Sequence, residues 1–215
     1  MTSRAPSSLL ALRIGVDTRP FERVECEVAV AGLFADDRPL RGGVARADWR
    51  LCGLLSQLVR EGRISGRDGE CVLVPSAGRL RAPRLFIMGL GERTARTTAG
   101  VQDLVVRTLG RVCELGLADI ALAPLGFAGD DWPRHAQAVV GGAWEAARLS
   151  GAPMDLHLAV PGSSEARARA SLKASVDAFG LREVEFSGRD ERRGEDTLAR
   201  SRKSPQGSLP VQRHF

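Results

Sequence analysis

Three short glycine-bearing segments are the places where this chain is equipped for chemistry: Arg41-Gly42-Gly43, Gly89-Leu90-Gly91 and Gly126-Phe127-Ala128-Gly129. Each follows an apolar run that reads as a strand and precedes a pattern that reads as a helix. A helix N-terminus presents unpaired amide groups and a partial positive charge, which suit phosphate or carboxylate. If the three segments meet at one end of a sheet, they form a shallow anion cleft with Arg41 and Arg93 on its rim. The alternative is three ordinary connections, with glycine serving only the turns. Gly89-Leu90-Gly91 lacks the third glycine of a dinucleotide fingerprint.

The other reactive residue types do not assemble into a catalytic set. Asp36, Asp37, Asp130 and Asp131 can act as paired acids or metal ligands, but adjacent aspartates ahead of helices also serve as caps and solvated loop residues. His135 is expected on the exposed side of a helix, His157 is expected to be packed within a strand, and His214 lies near the end of the chain. Cys26, Cys52, Cys71 and Cys113 include no Cys-x-x-Cys pair; three of them fall inside apolar patterns and are expected to pack as small hydrophobes. Neither a nucleophile elbow, a Walker loop nor a His-Glu-x-x-His motif is present. No catalytic residue, metal site or cofactor is expected.

The elements that must position these segments alternate. Strands are expected at Leu9–Val16, Val24–Ala31, Cys71–Val74, Leu85–Met88, Ile120–Ala123, Leu156–Val160 and, weakly, Val184–Phe186. Leu85 to Met88 shows no alternation, the pattern of a strand covered on both faces. Val44, Ala47, Leu51, Leu54, Leu55 and Leu58 recur at helical spacing as one helix ended by Gly62. A second helix opens at Thr97 or Thr98 and buries Val101, Leu104, Val105, Leu109 and Val112, with Gly116 behind it. A third has Pro133 in its first turn and buries Ala136, Val140, Ala143, Trp144 and Ala147. A fourth, opened by Ser163 or Ser164, turns Ala168, Leu172, Val176 and Phe179 inward, with Gly180 behind it. Strands alternating with helices predict a three-layer α/β domain over 1–187, with a mostly parallel or mixed sheet and helices on both faces.

Composition narrows the function classes. The chain has 215 residues and a formal charge of +5, but residues 188–215 carry seven basic and four acidic side chains, leaving only +2 for the rest. That charged segment has too little apolar surface to offset its ordering entropy and is expected to be disordered. It can reach nucleic acid through phosphate contacts, although it lacks interleaved aromatics for stacking. Only Lys173 and Lys203 among 31 basic residues are lysine, which points to genome base composition as much as to nucleic-acid contact. No apolar run approaches a membrane span or signal-peptide core, so a cytoplasmic chain with no membrane partner is expected.

The residues also carry a resemblance. Cys71-Val-Leu-Val-Pro75, Leu85-Phe-Ile-Met-Gly-Leu-Gly91, Thr97 opening a helix, and Ala138-Val-Val-Gly-Gly-Ala-Trp-Glu-Ala-Ala147 together resemble the N-terminal domain of the leucyl (cytosol) aminopeptidases, from about Val24 to Leu149. The resemblance implies a domain that serves oligomer assembly or a separate catalytic partner and, in some bacterial members, DNA binding. The family's two-metal peptidase chemistry resides in a C-terminal domain around an Asn-Thr-Asp-Ala-Glu-Gly-Arg-Leu motif. That string is absent here, so the resemblance assigns no residue of this chain a catalytic role. The same segment is similar to the macro domains that bind ADP-ribose: Leu40-Arg-Gly-Gly-Val-Ala45 resembles their first glycine loop, and Pro124–Gly129 followed by Pro133 their phosphate loop. Where those domains have an asparagine-rich stretch, this chain reads Val30-Ala-Gly-Leu-Phe34. A non-catalytic association domain is therefore expected, with a nucleotide binder or a nucleic-acid module as alternatives.

Overall fold

A computed structural model of the chain describes residues 12–93, 97–125, 131–181 and 184–187. Seven strands form a single sheet: β1 (Leu12–Asp17), β2 (Val28–Leu33), β3 (Cys71–Pro75), β4 (Arg84–Gly89), β5 (Asp119–Leu122), β6 (Met154–Ala159) and β7 (Val184–Ser187). Their order is β3-β4-β2-β5-β6-β1-β7. All neighbours are parallel except β3, which runs antiparallel to β4 with Leu73 opposite Phe86. Five helices accompany them among the described residues: α1 (Gly42–Arg50), α2 (Leu54–Arg60), α3 (Thr98–Glu114), α4 (Trp132–Ser150) and α5 (Glu165–Ala178). The three-layer α/β architecture expected from the alternation is present.

Two apolar cores lie on the two faces of the sheet. Alternate strand residues Ile14, Val28, Val30, Ile120, Leu122, Leu156 and Leu158 meet α3, α4 and α5. The intervening residues Ala29, Ala31, Leu85, Ile87 and Ala121 meet α1 and α2. β2 is accordingly almost continuously buried, because parallel strands are covered on both sides. α4 packs between α3 and α5 and buries a wide face, leaving Arg134, Gln137 and Arg148 exposed. Its Gly141 and Gly142 allow the approach, since a Cβ on Gly142 would lie 2.6 Å from Val105 Cβ.

Several expectations shift. β2 starts at Val28 rather than Val24, because Val24 closes the short helical turn Phe21–Arg23 by donating its amide to the Phe21 carbonyl. The single helix expected over Val44–Leu58 is two: Cys52 (φ 57°) and Gly53 (φ 82°) take left-handed backbone, and Asp48 caps the second helix by accepting the Leu55 and Ser56 amides. His135 is buried rather than exposed, since the buried face of α4 is wide enough to include it beside Trp132 and Ala136. Phe179 is 42% exposed because it lies just past the end of α5, and Trp144 is half-buried. None of the four cysteines is buried: Cys52 and Cys71 are exposed, and Cys26 and Cys113 half-buried. Ser164 stands at the start of α5 without a side-chain cap bond, and the other helix ends follow expectation. Thr97 Oγ1 accepts the Gly100 amide at 3.1 Å, Asp131 caps α4 with Pro133 in its first turn, and Gly116 and Gly180 take positive φ. The charged segment 188–215 and residues 9–11 of the first expected strand lie outside the described residues.

Candidate functional site

Because β2, β4 and β5 are parallel, the connections that leave them emerge at one end of the sheet, the end where open α/β sheets take ligands. Gly42 and Gly43 open α1 there, Gly89 ends β4, and Gly91 follows it. Gly126 and Gly129 lie outside the described residues. The structure therefore brings the first two glycine segments to a common end, with Arg41 exposed at the start of α1.

The second segment's amides are already engaged. Gly89 N–H donates to the Glu70 carbonyl at 2.7 Å, Leu90 N–H to Leu33 at 2.8 Å, and Gly91 N–H to Gly66 at 2.8 Å. Gly89 is required by proximity: an added Cβ would collide with the Arg67 carbonyl oxygen. Gly91 is required by backbone conformation, with φ at +68°. Both glycines let the 66–70 loop close against the end of β4.

The guanidinium on this rim is also engaged. Arg93 Nη2 meets the Asp37 carboxylate at 2.5 Å, its backbone N–H donates to Asp36 at 2.9 Å, and its guanidinium stacks over Phe34, 4.2 Å from the ring centroid. Asp37 is 3% exposed, so its charge needs a partner of this kind. Asp36 and Asp37 therefore anchor the loop after β2 to the loop after β4.

Between β2, β5 and α1 the space is filled with apolar atoms. A Cβ on Gly32 would lie 2.5 Å from Leu90 and 3.0 Å from Leu125, and one on Gly43 would lie 2.7 Å from Ala123. Leu33, Phe34, Leu90, Ala123 and Leu125 are all buried at this end. Among the described residues, Arg93 at this rim is tied to Asp36 and Asp37, and Arg41 is exposed.

A second polar cluster occupies the opposite end of the sheet, where β5, β6 and β1 begin. Asp119, Asp155 and Arg13 stand in one cross-strand row, with His157 one step along β6. His157 Nε2 lies 3.0 Å from Asp119 and 3.3 Å from Asp155, and Arg13 lies 3.9 Å from Asp155. Arg13, Asp119 and Asp155 line a shallow recess together with Glu27. His157 is buried as expected. The cluster has one sequence signal, Asp155-Leu-His157, whose period of two puts both side chains on one face, opposite the face of Leu156 and Leu158. Among the described residues no group of three His, Cys, Asp or Glu is placed to hold a metal ion. No helix among them is long and apolar enough to cross a membrane.

His135 shows the strongest electrostatic perturbation. Burial beside Trp132, whose ring it meets edge-on at 5.7 Å, lowers its pKa to about 4 against a small opposing pull from Asp131.

Comparison with known proteins agrees with this architecture. Residues 30–147 match the N-terminal domain of the cytosol aminopeptidase family. A probable cytosol aminopeptidase of Sulfurihydrogenibium sp. (strain YO3AOP1) is 23% identical over 111 residues, covering 52% of this chain and 22% of the relative. One from Alkaliphilus oremlandii (strain OhILAs) is 19% identical, covering 54% and 23%. The chain thus spans about a fifth of the length of these relatives. Among solved structures, a mutant of tomato leucine aminopeptidase superposes with a TM-score of 0.54 at 18% identity, over 81% of this chain and 36% of that one. A Trypanosoma brucei macrodomain in complex with ADP reaches 0.59 at 15% identity, over 77% and 71%. These structural likenesses establish the macro-like fold expected from the sequence. The chain belongs to the cytosol aminopeptidase family through that family's N-terminal domain.

Proposed function

We propose that this chain is a non-catalytic association domain of the cytoplasm, working through its surfaces on a protein partner. The observation that carries this reading is the packed ligand end of the sheet. Leu90 and Leu125 fill the space beside Gly32, and Arg93 is clamped onto Asp37. Binding a small molecule there would require displacing buried apolar side chains and leaving a buried carboxylate unpaired, which is strongly unfavourable. The partner fitting the family relationship is a separate aminopeptidase catalytic subunit or a second copy of the chain. Purified protein supplied with manganese is expected to leave leucyl-p-nitroanilide intact. Hydrolysis that disappears with chelator would overturn the reading.

The macro-like fold supports a second reading, a binder of ADP-ribose or a related nucleotide, because a macrodomain complexed with ADP shares the architecture. Gly42, Gly43, Gly126 and Gly129 would then carry the phosphates. Calorimetry with ADP-ribose at millimolar concentration separates the two: saturable heat favours the nucleotide, and its absence favours association. A third reading, nucleic-acid binding, draws on Arg41, Arg46, Arg60 and Arg63 around α1 and α2, which make no ion pair among the described residues. It requires affinity that falls steeply with salt.

A further inference from the structure

Among the described residues, the outer edge of β3 is open. In the antiparallel ladder with β4, Ser76 N–H donates to Pro83 and Glu70 accepts from Gly89. Even-numbered residues therefore turn their backbone groups toward β4, and Cys71, Leu73 and Pro75 turn theirs outward. Pro75 stands where its missing N–H costs the ladder nothing, as prolines on edge strands do. Leu73 is 44% exposed, with Cys71 and Pro75 exposed beside it, and the strand carries no charge. An uncharged edge of this kind is a template for another strand.

We propose that β3 pairs antiparallel with β3 of a second copy about a two-fold axis at Leu73. The pairing rests on reading the domain as an association module, and it names the partner. Each Leu73 N–H donates to the facing Leu73 carbonyl, and each Cys71 N–H to the facing Pro75 carbonyl. Side chains keep their faces: Leu73 lies against Leu73 on the α3 side, and Val72 against Val74 on the α2 side. The strand's flanks differ in charge. Arg67, Asp68 and Glu70 precede it, whereas Arg79, Arg81 and Arg84 follow it without an ion pair among the described residues. At the preceding end Asp68 already meets Arg107, and the Glu70 carboxylate accepts the Ser65 and Gly66 amides. Antiparallel self-pairing keeps the two arginine clusters at opposite ends of the paired strands, whereas a parallel arrangement would set arginine against arginine. Strands of five residues a side are small for an interface, so the dimer dissociates in the micromolar range or above.

Sedimentation equilibrium over a wide concentration range is the test. The mass is expected to rise from 23.0 kDa toward twice that value. Leu73→Pro removes the outward N–H and the facing leucyl side chain while sparing the hydrogen bonds to β4, and is expected to stay monomeric with an unchanged circular dichroism spectrum. Leu149→Asp, at an exposed apolar position on α4, is expected to dimerise normally. Should Leu73→Pro fail to fold, Leu73→Cys with Cys52→Ser and Cys71→Ser decides the matter. Facing Cα atoms about 5.5 Å apart in such a pair lie within disulfide reach, so mild oxidation should cross-link it. A constant 23.0 kDa, a dimer indifferent to folded Leu73→Pro, a dimer abolished by Leu149→Asp, or no cross-link would each overturn the pairing. A strictly monomeric chain leaves association with a different protein standing. Peptidase activity would remove the association reading without touching the pairing.

Discussion

The two helical layers of this domain are built to different standards. On one face, α3, α4 and α5 run 17, 19 and 14 residues and pack closely enough that Gly142 has no room for a methyl group. Their exposed arginines are matched by local acids: Arg107 with Asp103, Arg111 with Glu114, Arg134 with Asp131, Arg148 with Glu145 and Arg169 with Glu165. On the other face, α1 and α2 run only nine and seven residues, and Trp49 is 75% exposed with Arg50 stacked on it. Each exposed ion pair is worth only a few tenths of a kcal/mol. Their distribution therefore bears on solubility and partner choice more than on stability. One layer is a sealed structural body, and the other is a thinner cover with unneutralised charge.

Lowering the pH tests this contrast most severely. The unfolded chain protonates His135 near its ordinary value, whereas the folded chain resists until about pH 4. Stability from this residue is complete above the unfolded pKa and falls as pH drops toward 4, by roughly 3 kcal/mol in all. Urea midpoints from pH 7 to pH 4 should show the decline, and His135→Leu should flatten it. A variant with an undiminished slope would place the acid-sensitive group outside the α3–α5 layer. Gly142→Val should cost about 1–3 kcal/mol by thermal unfolding, because valine overpacks against Val105 and the Gln102 carbonyl. A neutral result would mean that the α3–α4 seam is looser than its geometry. Asp48→Ala, on the thinner face, should cost about 1 kcal/mol through loss of the α2 cap. A larger loss would show that α1 and α2 carry more of the fold than their length suggests.

Much of the architecture is legible in the residues. Leu85–Met88 reads as a doubly covered strand because its apolar run does not alternate, and all four residues are buried. Thr97, Asp131 and Pro133 mark helix starts through local capping chemistry, which needs no tertiary information. The misreadings share a physical cause. The burial of His135 depends on α4 packing against α3, α5 and the sheet, which widens its buried face beyond what period 3.6 reveals. The break at Cys52–Gly53 hides within a leucine pattern that continues across it. At the candidate site, the sequence shows that Gly89 and Gly91 are needed, but not that the need is approach of the 66–70 loop. Arg93 looks like a free cation until Asp37, 56 positions away, is found buried beneath it. The cluster of Asp119, Asp155, His157 and Arg13 escapes because its members come from three strands.

The place of β1 carries a consequence for biosynthesis. The first strand in the chain lies between β6 and β7, the last two in sequence. Its hydrogen-bonding partners leave the ribosome some 140 residues later, so Leu12, Ile14 and Val16 must wait uncovered while the remaining strands assemble. The region matched to the family, 30–147, includes none of these three strands. A nascent chain stalled at that point would hold β2 to β5 with an unfinished edge at β5. During that interval β1 is the segment a chaperone would have most reason to hold.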